Sequence, residues 1–271
     1  MIKLCVCIEP VFSRISSVEK IRKVAQLGFK AIEFWFWDYE FDGQELNPKK
    51  KDIAQISALT KELDIKINDI VLYSSDGSIG GFLTKAEDRD KYLERLKETI
   101  DVAHQLNCKK LITCSGNEVQ GVSKEKQLSN MIETLEQSSK ITASENITLL
   151  LEPLNSLVDH SGYFLTSSRT GFDIIKKISS PNLRLLYDIY HMQIMEGNVL
   201  DTVKENISLI GHFHAAGVPG RHELDNSEIN YPFVVKKINE WGYDGYFGLE
   251  YFPAMGSEES LKKTKEILEI Y

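Results

Sequence analysis

No apolar run in this sequence reaches the roughly 18 residues that a bilayer-crossing helix requires, so a membrane span is not expected. The N-terminus starts directly with a strand-like segment, Lys3–Ile8. It shows no charged stretch followed by an apolar one, so no secretion signal is expected. Cysteine is scarce: Cys5, Cys7, Cys108 and Cys114, none at zinc-finger spacing. Cys5 and Cys7 share one face of an apolar strand and are expected as buried free thiols, which suits a reduced, cytoplasmic setting. An excess of positive charge is missing too: the net charge is −8 and the pI near 5.4. An acidic chain repels phosphate backbones and anionic lipid, which speaks against nucleic-acid and membrane partners. The lysines are spread along helical segments, and Lys49-Lys50-Lys51 reads as a solvated helix start. Neither a P-loop nor a dinucleotide-binding glycine fingerprint is present, and no linker or low-complexity tract interrupts the chain.

What is present is an alternation of short apolar runs with longer amphipathic stretches, the pattern of βα units around a parallel sheet. Strands are expected at Lys3–Ile8, Ala31–Phe36, Lys66–Leu72, Lys110–Cys114, Thr148–Pro153, Leu183–Ile189, Leu209–Ala215 and Gly245–Tyr251. Helices are expected near Val18–Leu27, Lys51–Leu63, Glu87–Leu106, Lys124–Ser144, Ser168–Ile178, Asn198–Asn206, Pro232–Trp241 and Glu258–Ile270. Gly28 stands where the first helix needs a C-cap. Eight strands in strict alternation with eight helices fit a closed α/β barrel better than an open sheet. The length of 271 residues matches a single (β/α)8 TIM-barrel domain, 1–271, of about 250 residues.

In such a barrel the chemistry lies at the C-terminal ends of the strands. Four consecutive strands end there in ionisable residues: Leu151-Glu152-Pro153, Tyr187-Asp188, Phe213-His214 and Leu249-Glu250. Each closes an apolar run, and a buried carboxylate is costly unless paired or metal-bound. Three carboxylates at one mouth repel and raise each other's pKa, a conflict that a divalent cation resolves. Three oxygen donors and one imidazole suit Mn²⁺, Mg²⁺ or Co²⁺, with Zn²⁺ less suited.

Further residues cluster around these ends. His191, three residues after Asp188, is a candidate for contact with a substrate oxygen. Arg221 follows the Gly/Pro-rich segment 216–220 and is a candidate for gripping a substrate carboxylate; a plain surface ion pair is the alternative. His212 points to the same side of its strand as His214 and is expected to support the site from the layer below. The aromatic run Phe34-Trp35-Phe36-Trp37 is divided between core packing and a pocket wall, with Trp35 the candidate substrate contact. His104, His160 and His222 have no comparable constellation, although His160 and His222 lie in loops facing the mouth.

A cation so placed can chelate a carbonyl and its neighbouring hydroxyl and stabilise an enediolate. Glu152 and Glu250 could then stand on opposite sides of a small-molecule substrate, one removing a proton and the other delivering one. Delivery to the neighbouring carbon is isomerisation; delivery to the other face of the same carbon is epimerisation. The sequence leaves both open, and leaves room for a homo-oligomer.

The stretches Leu151-Glu152-Pro153-Leu154-Asn155, Tyr187-Asp188-Ile189-Tyr190-His191-Met192-Gln193, Ala216-Gly217-Val218-Pro219-Gly220-Arg221-His222-Glu223, Glu228-Ile229-Asn230-Tyr231-Pro232 and Gly248-Leu249-Glu250-Tyr251 carry a resemblance, with Ala31-Ile32-Glu33-Phe34 a weaker addition. Through them the chain resembles the hydroxypyruvate isomerase family, within the larger group of xylose-isomerase-like barrels. The resemblance implies a divalent metal at Glu152, Asp188, position 214 and Glu250, with Glu152 and Glu250 as the proton-transfer pair. Those isomerases usually carry Gln where this chain has His214. The related ketose 3-epimerases carry Glu, Asp, His and Glu, and place a substrate-contacting His and Arg like His191 and Arg221. They also use a second substrate-binding Glu shortly after the Glu152 position, where this chain has Val158-Asp159. The expected activity is thus hydroxypyruvate-type isomerisation, with ketose 3-epimerisation as the alternative. A hydrolase resembling apurinic-site endonucleases is disfavoured by the acidic balance, and a non-catalytic sugar-binding barrel by the intact pair of glutamates.

Overall fold

A computed structural model describes residues 2–269. Its strands are β1 (Lys3–Cys7), β2 (Ala31–Phe34), β3 (Tyr39–Phe41), β4 (Leu46–Pro48), β5 (Lys66–Val71), β6 (Lys110–Thr113), β7 (Thr148–Leu151), β8 (Leu183–Asp188), β9 (Ile210–Ala215) and β10 (Tyr246–Leu249). Its helices are α1 (Ile8–Val11), α2 (Ser17–Gln26), α3 (Ile53–Glu62), α4 (Arg89–Gln105), α5 (Lys124–Ser144), α6 (Ser168–Ile178), α7 (Ile189–Met195), α8 (Val199–Asn206), α9 (Tyr231–Glu240) and α10 (Ser257–Glu269). Eight strands close a parallel barrel in the order β1-β10-β9-β8-β7-β6-β5-β2, while β3 and β4 form a separate antiparallel hairpin. The last expected helix residue, Ile270, lies outside the described residues, and no described helix is long and apolar enough to cross a membrane.

The helices start where side-chain oxygens can take the first free backbone N–H groups. Ser16 and Glu19 form a reciprocal capping box on α2, and Asp52, Ser123, Ser167 and Asn230 cap α3, α5, α6 and α9. Gly28, at φ +80°, closes the first helical turnaround as expected.

Alternation along the strands separates two environments. Leu149, Leu151, Leu185, Tyr187 and Phe213 belong to the large core between barrel and helices. The residues between them face the barrel interior: Ile112, Leu150 and Leu186 make a small apolar cluster of their own, one strand period below the polar strand ends. Gly248 opens the opposite side of that interior. A Cβ there would lie 2.5 Å from Glu33 Oε1 and 2.6 Å from His214 Cδ2, so the missing side chain is the space those two groups occupy. All four cysteines are buried free thiols.

Four details differ from the sequence expectation. Strand β2 stops at Phe34 instead of Phe36 because Trp35 N donates to Glu9 Oε2 (3.1 Å), which takes it out of the ladder. Strand β8 stops at Asp188 because its side chain accepts from His191 N (3.1 Å) and starts α7 at once. Lys51 is buried and not solvated. Its ammonium donates to Phe36 O (2.5 Å) and pairs with Glu9 Oε1 (3.3 Å), tying down the backbone beyond β2. The hairpin β3–β4 was not expected; its turn is built by Asp42 Oδ1, which accepts from Gln44 N and Glu45 N (2.9 Å each), next to Gly43 at φ +102°.

Candidate metal centre

Parallel pairing brings the four strand ends to one level. Asp188 stands beside His214 in the β8–β9 register. Glu152 and Glu250 each follow the last residue of their strand and stay in the ladder, Glu152 N donating to Thr113 O (3.0 Å) and Glu250 N to Ala215 O (3.2 Å). One ligand atom from each of Glu152, Asp188, His214 and Glu250 falls within 4.8 Å of every other. His214 Nδ1 is 3.4 Å from Glu152 Oε1 and 3.5 Å from Glu250 Oε2. All four residues are buried, at 6, 1, 1 and 6% exposure respectively.

The electrostatics show the strain of this grouping. Burial, reinforced by the charge of Glu152, pushes Asp188 up to about 7, and burial likewise raises Glu152. Glu250 goes the other way: burial would raise it, but the Arg221 guanidinium and His214 outweigh that and hold it well below the usual carboxylate range. His214 is driven well above its ordinary value, since Glu33 and Glu250 overcome the cost of burying its charge. Yet Glu152 Oε1 and His214 Nδ1 make no hydrogen bond. An unpaired buried carboxylate oxygen and an unpaired imidazole nitrogen that converge with the carboxylates of Asp188 and Glu250 fit a divalent cation, which these four residues could hold.

Below this group lies a second one that the sequence reading named only in part. His212 Nε2 is 2.9 Å from Glu33 Oε2 and 3.4 Å from Asp69 Oδ2. Asn68 Nδ2 reaches both Asp69 Oδ2 (2.6 Å) and His212 Nδ1 (3.3 Å). The second oxygen of Glu33 is 3.0 Å from His214 Nε2, although off the line of a full hydrogen bond. His212 supports the site from below, as expected. Glu33 and Asp69 were not singled out, though each is an acid inside an apolar strand run, the same signal that marked Glu152. Glu33 placed against Nε2 favours the proton there and leaves Nδ1 to face the carboxylates, the orientation a metal-binding histidine needs.

A cavity of about 230 Å³ opens on the upper group, lined among others by Trp35, Ser75, Glu152, His160, Arg221 and Glu250. Trp35 Nε1 donates to Glu250 Oε1 (2.8 Å) and Arg221 Nη2 to Glu250 Oε2 (2.6 Å). Arg221 is therefore engaged in an ion pair while its guanidinium lies between the rings of Tyr190 and Phe252, at 5.5 and 5.9 Å. His191 is fully buried beside the wall. Its Nδ1 is 2.7 Å from Asn155 Nδ2, an N–H donor, so the proton sits on Nε2, which has no hydrogen-bond partner and lies 3.6 Å from Asp188 Oδ2. Burial, with the Arg221 charge, holds this ring neutral. Of the candidates from sequence, Trp35 and Arg221 reach the cavity; His160, left without a role there, reaches it too. His222 instead sits against Phe252 O (2.7 Å).

The profile of the family described as "Xylose isomerase-like TIM barrel" matches residues 21–269. The hydroxypyruvate isomerase of Escherichia coli (strain K12) is 30% identical over 264 residues, covering 97% of this chain and 98% of that protein. The 2-oxo-tetronate isomerase of Cupriavidus necator is 40% identical over 137 residues, 51% of this chain and 52% of its own length. Among solved structures, the family 2 AP endonuclease of Brucella melitensis superposes with a TM-score of 0.88 at 25% identity, over 98% of this chain and 99% of that one. An L-ribulose 3-epimerase superposes at 0.80 with 19% identity, over 99 and 95%. The chain thus belongs to the xylose isomerase-like TIM barrel family and is an enzyme of the isomerase type.

Proposed function

We propose that this enzyme is a divalent-metal-dependent isomerase of a small hydroxy-carbonyl acid, of the kind that interconverts hydroxypyruvate and tartronate semialdehyde. The observation that carries this reading is the pair Glu152 and Glu250 facing one cavity beside His214 and Asp188, with Glu152 Oε1 unpartnered. The names of the relatives give the substrate type.

Glu152, Asp188, His214 and Glu250 would hold the ion, with Mn²⁺, Mg²⁺ or Co²⁺ suiting three oxygens and one nitrogen better than Zn²⁺. When bound, the ion supplies positive charge against the enediolate that forms as the substrate loses its carbon-bound proton. The protein does the rest. Glu152 and Glu250 both line the cavity and would form the proton-transfer pair, one removing the proton from the hydroxyl-bearing carbon and the other, in its protonated form, delivering one to the neighbouring carbon. The hydroxyl proton moves between the two substrate oxygens in the same conversion, so the product is an isomer. The neutral His191, protonated on Nε2 by virtue of Asn155, donates to a substrate oxygen. Trp35 and Arg221 hold the two oxygens of Glu250.

Ketose 3-epimerisation is the second reading, and His214 favours it because it completes the Glu-Asp-His-Glu ligand set. Asp159 weighs against it. It occupies the region of the epimerases' extra glutamate, but it is one methylene shorter and its Oδ2 is held by Tyr190 OH (2.8 Å) and Asn155 Nδ2 (2.5 Å).

The test is proton exchange in D₂O. The chelator-stripped protein is reloaded separately with Mn²⁺, Mg²⁺ or Co²⁺ and offered hydroxypyruvate, 2-oxo-tetronate and unphosphorylated ketoses, read by proton NMR. Metal-dependent loss of the carbon-bound proton signal of an oxo acid is expected. Exchange with ketoses alone would move the assignment to the epimerase, and no exchange from folded, metal-loaded protein would defeat both.

A further inference from the structure

The loops that follow β5 and β7 meet over the cavity through one pair of side chains: Ser75 Oγ lies 3.0 Å from His160 Nδ1. Both residues line the same cavity as Glu152, Glu250 and Arg221. Each loop is otherwise held from its own side. Asp76 Oδ1 accepts from Ser74 Oγ (2.6 Å) and Ser78 Oγ (2.7 Å) in the first loop. In the second, His160 N donates to Asn155 O (3.1 Å) and Tyr163 N to His160 O (3.0 Å). The imidazole sits beside His191, with ring centroids 5.3 Å apart. The pair is therefore a fixed polar patch on an otherwise largely apolar stretch of wall that includes Phe36, Leu46, Val71 and Leu154.

Its chemistry is that of a neutral donor and acceptor set side by side. Burial and the nearby Arg221 charge hold His160 down to about 4, so the ring is uncharged at neutral pH. An anionic group needs a cation or several converging N–H donors, and the guanidinium nearest this wall is already paired with Glu250. A hydroxyl group, which donates one hydrogen bond and accepts others, matches what a serine hydroxyl and a neutral imidazole offer. In a small substrate one end is committed to the carboxylates. A hydroxyl meeting Ser75 and His160 then belongs to a carbon outside the reacting pair.

Resting on the isomerase reading above, we propose that Ser75 and His160 form a subsite for a hydroxyl carried beyond the reacting hydroxy-carbonyl pair, so that the preferred substrates are hydroxylated oxo acids of four or more carbons. A three-carbon acid would fill the reacting end and leave this patch without a substrate contact. Sites built to hydrogen-bond a substrate hydroxyl discriminate strongly against analogues that lack it.

The test separates binding from turnover. Metal-loaded protein is titrated calorimetrically with the unreactive acid 2,3,4-trihydroxybutanoate and with its 4-deoxy analogue. The wild type is expected to bind the hydroxylated acid about ten-fold more tightly, the size of one net hydrogen bond. Ser75→Ala and His160→Asn should each reduce that ratio toward one without weakening the deoxy acid, and Ser75→Thr, which keeps the hydroxyl, should preserve it. Equal affinity for both acids in the wild type, or an unchanged ratio in both weakened variants, overturns the subsite. Because neither acid reacts, these outcomes stand whether or not the isomerase assay succeeds. Failure of that assay with the ratio intact would point to a binding site for hydroxylated acids with a different reaction.

Discussion

Strands β7 to β10 lead into Glu152, Asp188, His214 and Glu250, whereas β1, β2, β5 and β6 end in Cys7, Phe34, Val71 and Thr113. The first half of this comparison carries the charge that meets the cavity. The second half carries what orients it, from one level lower or from the loop just above. Glu33 on β2 reaches across to both histidines of β9, Asp69 on β5 backs His212, and Trp35 beyond β2 holds Glu250. Beneath them the buried Glu9–Lys51 pair fixes the backbone on which Trp35 sits. A buried ion pair of this kind is weak evidence for stability; here it maintains a position. The contrast teaches that a cluster of strand-end side chains is only half a site: its imidazole and carboxylates are aimed by groups on strands that add nothing to the cluster.

The largest effect should come from disabling the charged half. Glu152→Gln and Glu250→Gln should each slow proton exchange by about 10²–10⁴-fold, the range for loss of a positioned acid or base, with an unchanged far-UV spectrum. Full activity in either variant would remove that residue from the proton-transfer pair. Next comes the orienting half. In Glu33→Gln one carboxylate oxygen becomes an NH₂ facing an imidazole N–H, so divalent-ion affinity should fall by roughly 10–100-fold, the usual cost of losing a ligand's support. Unaltered affinity would show that His214 needs no such partner. Gly248→Ala attacks the same contact from behind, because the new methyl would press on Glu33 Oε1, His214 Cδ2 and His212 Nε2. Overpacking of this order costs about 1–3 kcal/mol and should appear as a lowered melting temperature together with weakened metal binding. Lowered melting with normal metal binding would mean that the interior repacks away from the ligands.

The smallest effect is in pH dependence and concerns the cavity wall. His160 has a folded-state value of about 4 against an ordinary 6.5, roughly. As pH falls through that window the unfolded chain takes up a proton that the folded one refuses, so its contribution to stability is present above the upper value and is lost toward the lower. Asp188, raised to about 7, works with the opposite sign below neutrality. A difference measurement is therefore needed. The stability of wild type relative to His160→Asn, both metal-free, should decline from pH 6.5 to 4, taken as about the unfolded and folded values. A flat difference would place the ring in solvent.

The clustering of the charged half was legible in the sequence because strand alternation and fold position do the same job: each of the four residues closes an apolar run, and the barrel sends all such ends to one face. The orienting half was less so. Glu33 and Asp69 lie inside strands, where their neighbours across the barrel interior depend on closure and register, neither of which is local. Lys51 misled because a lysine run near a helix start ordinarily faces water; its burial follows from carbonyls freed where β2 ends early. His160 was expected in a loop facing the mouth but carried no role, because its partner, Ser75, is on a loop 85 positions away. The hairpin was within reach, since Asp42-Gly43 is a turn signal, but its strands are only three residues each.

The central claim, that four side chains from β7 to β10 hold one divalent ion, is tested most directly by calorimetric titration of Mn²⁺ into chelator-stripped wild type and Asp188→Asn. The account predicts one ion per wild-type chain and affinity lower by about 100-fold or more in the variant, beyond the ~10–100-fold expected for a supporting residue. A wild type that takes up no ion, or a variant that binds it as tightly, would contradict the account.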